Sequence, residues 1–109
     1  MVKLLVNPNE LYDGAPLGMS QAVVDSTSGL VSGQVDWNHQ HQVSENTVSG
    51  QLTNALRNLN ITLEAANASV ETLLHVRVYI RGELEDHMDT IVPIFGDFLG
   101  NSRPAVTGK

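Results

Sequence analysis

Two groups of small polar residues flank a turn in the N-terminal third of the chain. A Ser-Gln pair at 20–21 precedes the apolar run 22–24, and a Ser-Gly-Gln group at 32–34 follows the apolar pair 30–31. Residues 25–29 are types that favour turns, so the pattern predicts a β-hairpin. Both polar groups would then lie at its open end, where small side chains and a glycine allow a ligand to approach the backbone. A simpler interpretation is that these residues only provide hydrogen bonds for main-chain groups at the edges of the strands.

Other residues with chemical potential stand in less specific settings. His39 and His41 are two residues apart and close to Asp36 in the sequence. On a strand their side chains would share one face and could bind a metal together with a third ligand. No third ligand is identifiable, so solvated loop histidines are favoured and no metal is expected. Arg103 is the best-placed cation for an anionic ligand. Four carboxylates cluster at the start of a predicted helix, where negative charge complements the helix dipole. They are Glu83, Glu85, Asp86 and Asp89.

Composition narrows the class of protein. The chain has 109 residues, 41% of them hydrophobic and 17% charged, which is typical of one folded domain with a modest core. There is no cysteine, so disulfides and thiol nucleophiles are excluded and a reducing cytoplasm is the expected location. No apolar run approaches the roughly 18 residues that cross a membrane.

The charge balance argues against a nucleic-acid platform. Twelve acidic residues face six basic ones, for a net charge of −6. Phosphate-backbone binding depends on clustered Lys and Arg, whereas here the basic residues are isolated along the chain. They are Lys3, Arg57, Arg77, Arg81, Arg103 and Lys109.

Hydrophobic periodicity predicts the elements that must position these residues. They are a strand at 2–7, a loop at 8–18, the hairpin, a helix from Asn46 or Thr47 to about 66, a strand at 73–80, a helix at about 84–99 and a possible final strand. Three strands before the first helix exclude a simple alternating parallel sheet. The order predicts an α+β domain in which two helices pack on one face of a mixed β-sheet.

Details of these elements follow from single residues. Ser44 or Asn46 is expected to cap the first helix, and Asn67 stands where a left-handed C-terminal residue is expected. Pro93 should kink the second helix or delay its regular start. The strand at 73–80 alternates, and its polar side (His75, Arg77 and Tyr79) would need cover, for which self-association is a simple solution.

Short motifs over nearly the whole chain resemble one family in their order and spacing. They are Ser-Gln-Ala-Val at 20–23, Leu-Val-Ser-Gly-Gln-Val at 30–35, Gln51 with Ala-Leu-Arg-Asn-Leu at 55–59, Leu-Glu-Ala-Ala-Asn-Ala-Ser at 63–69, Val-Arg-Val-Tyr-Ile at 76–80, residues 95–99, and Arg-Pro-Ala at 103–105. The chain is similar to the Rid (YjgF) family of reactive-intermediate deaminases, also called L-PSP endoribonucleases.

The resemblance implies a chorismate-mutase-like fold and a homotrimer whose sheets pack into a central barrel. It implies ligand clefts between subunits, occupied by a small molecule, and chemistry without a cofactor. Deaminating members hydrolyse enamines or imines such as 2-aminoacrylate to 2-keto acids and ammonia. In them an Arg binds the substrate carboxylate through a bidentate pair, and a carboxylate on the last strand helps to place the attacking water.

This sequence departs from the family pattern at the site. The family's Arg falls on Val106, its aromatic residue before Ser-Gln falls on Met19, and an Asn near the cleft falls on Val92. We expect residues 1–109 to form a single Rid-like domain, shortened at the C-terminus relative to the family pattern, so no residue matches the catalytic carboxylate and no catalytic residue is assigned. The expected ligand-binding residues are Met19, Ser20, Ser32, Gly33, Val92, Arg103 and Val106.

Three functions follow from the resemblance. The first is an enamine/imine deaminase, and its alternative is a non-catalytic trimer that binds a small metabolite in the inter-subunit cleft. An endoribonuclease is the least favoured because of the net charge of −6 and the dispersed basic residues.

Overall fold

The chain folds in the order β-β-β-α-β-α-β in a computed structural model, which describes residues 2–109. The elements are β1 (Leu4–Val6), β2 (Ala22–Val24), β3 (Gly29–Val31), α1 (Val48–Ala65), β4 (His75–Val78), α2 (Met88–Leu99) and β5 (Ala105–Gly108). Short 3-10 turns lie at Ala15–Leu17, Val70–Thr72 and Leu84–His87. The expected α+β fold is confirmed, with the possible final strand formed as β5.

The first three strands form an antiparallel sheet in the order β1-β2-β3. Val23 pairs with Leu5 on one side and with Leu30 on the other, so the predicted hairpin is confirmed. Its turn is held by the Asp25 carboxylate, which accepts main-chain N–H bonds from Thr27 at 2.8 Å and from Ser28 at 2.9 Å. The turn is therefore specified by an Asp side chain that folds onto its own backbone.

Helix α1 contributes two buried apolar side chains to the core, Leu56 and Leu63. Thr47 caps it by accepting a hydrogen bond from the N–H of Gly50 at 3.1 Å, so the expected capping by Ser44 or Asn46 is wrong. The helix begins later than expected because Thr47 itself is extended, with φ −111° and ψ 152°. At the other end Asn67 adopts φ 59°, the left-handed conformation expected from its side chain.

The second half of the chain forms a separate parallel ladder between β4 and β5. The expected single mixed sheet is thus divided into two hydrogen-bonded parts, of three and two strands. Regular α2 geometry starts at Met88, after a 3-10 turn, and continues through Pro93 to Leu99. Gly100 at φ 52° ends the helix.

The core lies between the helices and one face of the strands. Helices α1 and α2 pack against each other, and the buried apolar side chains come from the strands, a loop and both helices: Val6, Leu11, Ala22, Leu56, Leu63 and Ile91. On the other face of the first sheet, Leu5 is 62% exposed and Leu30 is 81% exposed. Across residues 2–109, neither helix has the length and apolar character of a membrane span.

Candidate functional site

Gln21 is the centre of a polar network at the open end of the hairpin. Its side chain is only 2% exposed. Its Nε2 donates to the Tyr12 carbonyl at 3.0 Å, and its Oε1 accepts from the Gln34 Nε2 at 2.9 Å. Its main-chain N–H donates to Asn7 Oδ1 at 3.1 Å. Because a buried amide without partners would be costly, these bonds hold Asn7, Tyr12 and Gln34 in one arrangement around Gln21.

The two serines of the hairpin are joined through this network. Ser32 Oγ donates to the Ser20 carbonyl at 2.5 Å, and the Ser32 N–H donates to the Gln21 carbonyl at 2.8 Å. Ser20 Oγ accepts from Asn7 Nδ2 at 3.3 Å. The expectation that both Ser-Gln groups lie at the same end of the hairpin is therefore confirmed. Each hydroxyl retains hydrogen-bonding capacity for a further partner, since a serine has one donor and two acceptor positions.

Space for a partner exists beside the serines. A Cβ built on Gly33 would meet no atom within 4 Å, and Gly33 does not require a positive φ. Met19, which directly precedes Ser20, is about half exposed, at 48%. The open end of the hairpin thus presents two hydroxyls, an uncovered backbone and a flexible thioether to its surroundings.

Val106 and Arg103 lie in a different part of the molecule. Val106 is paired with Val76 in the β4–β5 ladder and is 51% exposed. Arg103 precedes the strand, in the connection after α2, with φ 49°. With φ 49°, Arg103 lies outside the extended backbone of β5, which starts at Ala105, so its side chain does not belong to the regular alternation of that strand.

Val92 lies on the exposed side of α2, next to the buried Ile91. The seven expected residues therefore fall into a hairpin group and a group on α2, the following connection and β5. Two surface depressions, of about 290 and 620 Å³, include none of the seven. Both depressions lie near the start of α1, between Val43 and Asn54.

Few charged side chains lie around the hairpin. Asp25 lies at its turn, away from the serines, and hydrogen bonds from the N–H of Thr27, the N–H of Ser28 and the hydroxyl of Thr27 lower the pKa of its carboxyl. Within residues 2–109, no three His, Cys, Asp or Glu side chains form a group that could hold a metal ion. His39 instead contacts the Asn9 carbonyl through Nε2 at 2.9 Å.

The hydrogen-bonded network of Gln21, Gln34 and Asn7 was not predicted from the sequence. Gln21 and Gln34 flank the two apolar runs of the hairpin at the same end, which is the signal that could have paired them. Asn7 gave no such signal, because its contacts with residues 20 and 21 depend on the antiparallel pairing of β1 with β2.

A family comparison covers the elements described above. The model of the family Endoribonuclease L-PSP matches residues 15–107, which include the hairpin, both helices and most of β5. No curated protein matches the chain.

Solved structures agree with this match. A candidate endoribonuclease from Thermotoga maritima is 25% identical, with a TM-score of 0.87, over 98% of this chain and 83% of that one. YyfA of Yersinia pestis, a protein of the conserved Rid family, is 19% identical, with a TM-score of 0.86 over 99% and 85%. RidA of the Antarctic bacterium Psychrobacter is 19% identical, with a TM-score of 0.84 over 97% and 84%. The chain therefore belongs to the endoribonuclease L-PSP family, which is also called the Rid or YjgF family.

Proposed function

We propose that the protein binds a small carbonyl metabolite at the open end of the β2–β3 hairpin. The observation that carries this proposal is the buried Gln21 network, which holds Ser20 and Ser32 in one arrangement beside an open backbone at Gly33. Fixed hydroxyls next to free space can receive a polar group without first being ordered, which lowers the entropic cost of binding.

We propose that the other wall of this cleft comes from a second copy of the chain. In one copy the hairpin group and the group around Val106 lie on separate ladders. A homotrimer, the assembly that the family resemblance implies, would bring the two groups from neighbouring subunits together. The exposed Leu5 and Leu30 on the outer face of the first sheet support such an assembly, because apolar rows of this kind favour subunit contacts.

The chemistry of the ligand follows from the second wall. Val106 offers apolar surface where a deaminating family member holds the Arg that pairs with a carboxylate. Met19 and Val92 would add further apolar surface where the assembly brings them next to Val106 of a neighbouring subunit. The ligand that suits these walls has a polar carbonyl for the serines and does not depend on a carboxylate, since no cation stands at position 106.

Calorimetric titration with pyruvate and with its neutral amide, pyruvamide, tests this chemistry. The wild-type protein should bind pyruvamide at least as tightly as pyruvate. In Val106→Arg a bidentate pair becomes available to the acid alone, so the affinity for pyruvate should rise about tenfold while that for pyruvamide stays unchanged. A wild-type preference of tenfold or more for pyruvate would refute the assignment.

Imine hydrolysis is a second candidate, favoured by the family match over residues 15–107. In this reaction an enamine such as 2-aminoacrylate tautomerises to its imine, and water adds to the C=N carbon. The resulting carbinolamine loses ammonia and leaves a ketone, so no cofactor is consumed. Ser20 and Ser32 could hold the water by hydrogen bonds. Ammonia release from 2-aminoacrylate generated in situ, at a rate above that of buffer, would establish this activity, and a rate equal to buffer would leave binding as the function.

Cleavage of RNA is the least supported of the family's activities for this chain. Its net charge is −6, and the hairpin group contains no basic residue that could contact a phosphate backbone. Cytoplasmic location remains an expectation from the absence of cysteine.

A further inference from the structure

The main-chain groups around Gln21 fix the orientation of two amide side chains. A main-chain N–H can only donate and a main-chain carbonyl can only accept, so the side-chain atom that meets each of them is determined. Asn7 Oδ1 accepts the Gln21 N–H at 3.1 Å, and Asn7 Nδ2 is therefore the atom that faces Ser20. Gln21 Nε2 donates to the Tyr12 carbonyl at 3.0 Å, which turns Oε1 of the same side chain towards Gln34.

These orientations decide which of the two serine hydroxyls can donate to a ligand. Asn7 Nδ2 donates to Ser20 Oγ at 3.3 Å, so the Ser20 hydroxyl accepts within the chain and keeps its proton for an outside partner. Ser32 Oγ is the opposite case, because its one proton is directed to the Ser20 carbonyl at 2.5 Å. The Ser32 hydroxyl therefore has only acceptor positions left for a ligand.

Gln34 adds to the acceptor character of this end of the hairpin. Its Nε2 donates to Gln21 Oε1 at 2.9 Å and to the Ser32 carbonyl at 3.2 Å, which uses both protons of the amide. The only hydrogen-bonding atom that its side chain has left is the acceptor Oε1. A polar group that approaches Ser32 thus meets oxygen lone pairs and must itself bring the proton.

We propose that the ligand of this site carries a carbonyl oxygen beside an N–H, as an uncharged carboxamide does. The carbonyl accepts the proton of Ser20, and the N–H donates to the lone pairs of Ser32. The direct bond from Ser32 Oγ to the Ser20 main chain keeps the two hydroxyls close together, as two adjacent groups of one small molecule require. A carboxylate has no proton to donate and would place negative charge against those lone pairs, so it is the poorer ligand.

This inference rests on the proposed function, because it takes a carbonyl ligand to lie at the open end of the hairpin. Calorimetric titration of the wild-type protein with pyruvamide and with butane-2,3-dione tests it. Both compounds are uncharged and nearly equal in size, and they differ in that the amide NH2 of one is a methyl group in the other. Pyruvamide should bind about tenfold more tightly, since the dione leaves the Ser32 acceptor without a partner. Equal affinities would overturn the inference and leave a carbonyl site in place, whereas a lack of binding by both compounds would overturn the proposed function with it.

Ser32→Ala and Ser20→Ala separate the roles of the two hydroxyls. Ser32→Ala removes the acceptor, so the Kd of pyruvamide should rise about tenfold while that of the dione stays within about twofold of wild type. Ser20→Ala removes the donor that both ligands use, so both Kd values should rise and the preference for pyruvamide should remain. A preference that persists in Ser32→Ala, or that disappears in Ser20→Ala, would overturn the assignment of donor and acceptor.

Asn7→Asp tests the direction of the Ser20 proton without changing either serine. The carboxylate keeps an oxygen for the Gln21 N–H and places a second oxygen where Nδ2 donated, so the Ser20 hydroxyl turns its proton inwards. Both ligands should then bind at least about tenfold more weakly than they bind the wild type. Asn101→Asp, at an exposed position after α2, adds the same charge elsewhere and should leave both Kd values unchanged. Wild-type affinities in Asn7→Asp would contradict the proposed donor.

Discussion

At the residue scale, Gln21 connects the hairpin to the loop before it and to β3's polar extension. Its side-chain amide joins the Tyr12 carbonyl to the Gln34 amide, and its main chain joins Asn7 to Ser32. Glutamine provides both a donor and an acceptor on a long side chain, which no apolar residue of similar volume can replace. The position of the serines therefore depends on a residue that is itself almost inaccessible to a ligand.

Gln21→Leu should destabilise the protein. The substitution keeps the volume but leaves the Tyr12 carbonyl without its side-chain donor and removes one of the two hydrogen bonds of Gln34 Nε2, which should lower the free energy of unfolding by about 1–3 kcal/mol. Urea denaturation measures the change. Gln40→Leu, at an exposed position, is the matched control and should stay within about 0.5 kcal/mol of wild type. A decrease in the free energy of unfolding that is equally small in Gln21→Leu and Gln40→Leu would show that the network does not stabilise the fold.

Asp25 makes the stability of the hairpin turn dependent on pH. Its pKa is lowered in the folded state by the hydrogen bonds from Thr27 and Ser28, so its stabilising contribution is present above the ordinary carboxyl pKa of 3.8 and is lost as pH falls through the lower folded value. Asn at this position keeps an acceptor oxygen but has no charge. The stability difference between wild type and Asp25→Asn should therefore be present at pH 7 and shrink below about pH 4. A difference that grows on acidification would contradict this account.

At the element scale, periodicity predicted most of the fold correctly. Alternation identified β4, the turn cluster identified β2 and β3, and helical spacing identified α1 and α2. Helix α1's start was misplaced because Ser44, Asn46 and Thr47 are all competent caps in sequence, and only the backbone geometry selects among them. The division of the sheet into two ladders could not be predicted, because strand pairing depends on contacts between segments that are distant in sequence.

Thr47→Ala tests the observed cap. Loss of the hydroxyl that accepts the Gly50 N–H should lower the free energy of unfolding by about 1 kcal/mol. Thr53→Ala, on an exposed face inside α1, should be neutral or slightly stabilising because Ala favours helix interiors. Thermal or urea unfolding compares the two. A cost for Ser44→Ala or Asn46→Ala equal to that for Thr47→Ala would mean that the helix has no unique cap.

At the scale of the whole molecule, the outer face of the first sheet accounts for the proposed assembly. Leu5 and Leu30 lie in one row with Val23 across the three strands, and both leucines are exposed in a single copy. Burying these apolar side chains on association would contribute a favourable free energy, which would offset part of the entropy that the subunits lose. The same assembly would join the hairpin of one copy to the region of Val106 in the next.

Leu30→Glu should dissociate the assembly. A charge in the row would lose hydration on association without gaining a partner, so sedimentation velocity at micromolar concentration should show a trimer for wild type and a monomer for the variant. Val43→Glu places the same charge at an exposed loop position, 55% exposed, and should leave the trimer intact. A wild-type monomer, or a trimer in both variants, would exclude this face as the interface.

The location of the site was only partly predictable. Ser20 and Ser32 were expected at one end of a hairpin, and the structure joins them by a hydrogen bond. Val106 and Val92 were expected near them from the family resemblance, but their contacts would form only between copies. In the proposed trimer, a single chain would therefore specify half of the candidate cleft, and the other half would come from the neighbouring copy.

The most direct measurement is the affinity of pyruvamide for Gly33→Leu and Ala65→Leu, by calorimetry at concentrations where sedimentation shows the wild-type assembly. A side chain fits at Gly33 without contact inside the chain, since no atom lies within 4 Å of its added Cβ, and Ala65 is exposed at the end of α1. Leu at position 33 should fill the space beside the serines and raise the Kd at least about tenfold, while Leu at 65 should leave it unchanged. Equal affinity in both variants would contradict a ligand site at the open end of the hairpin.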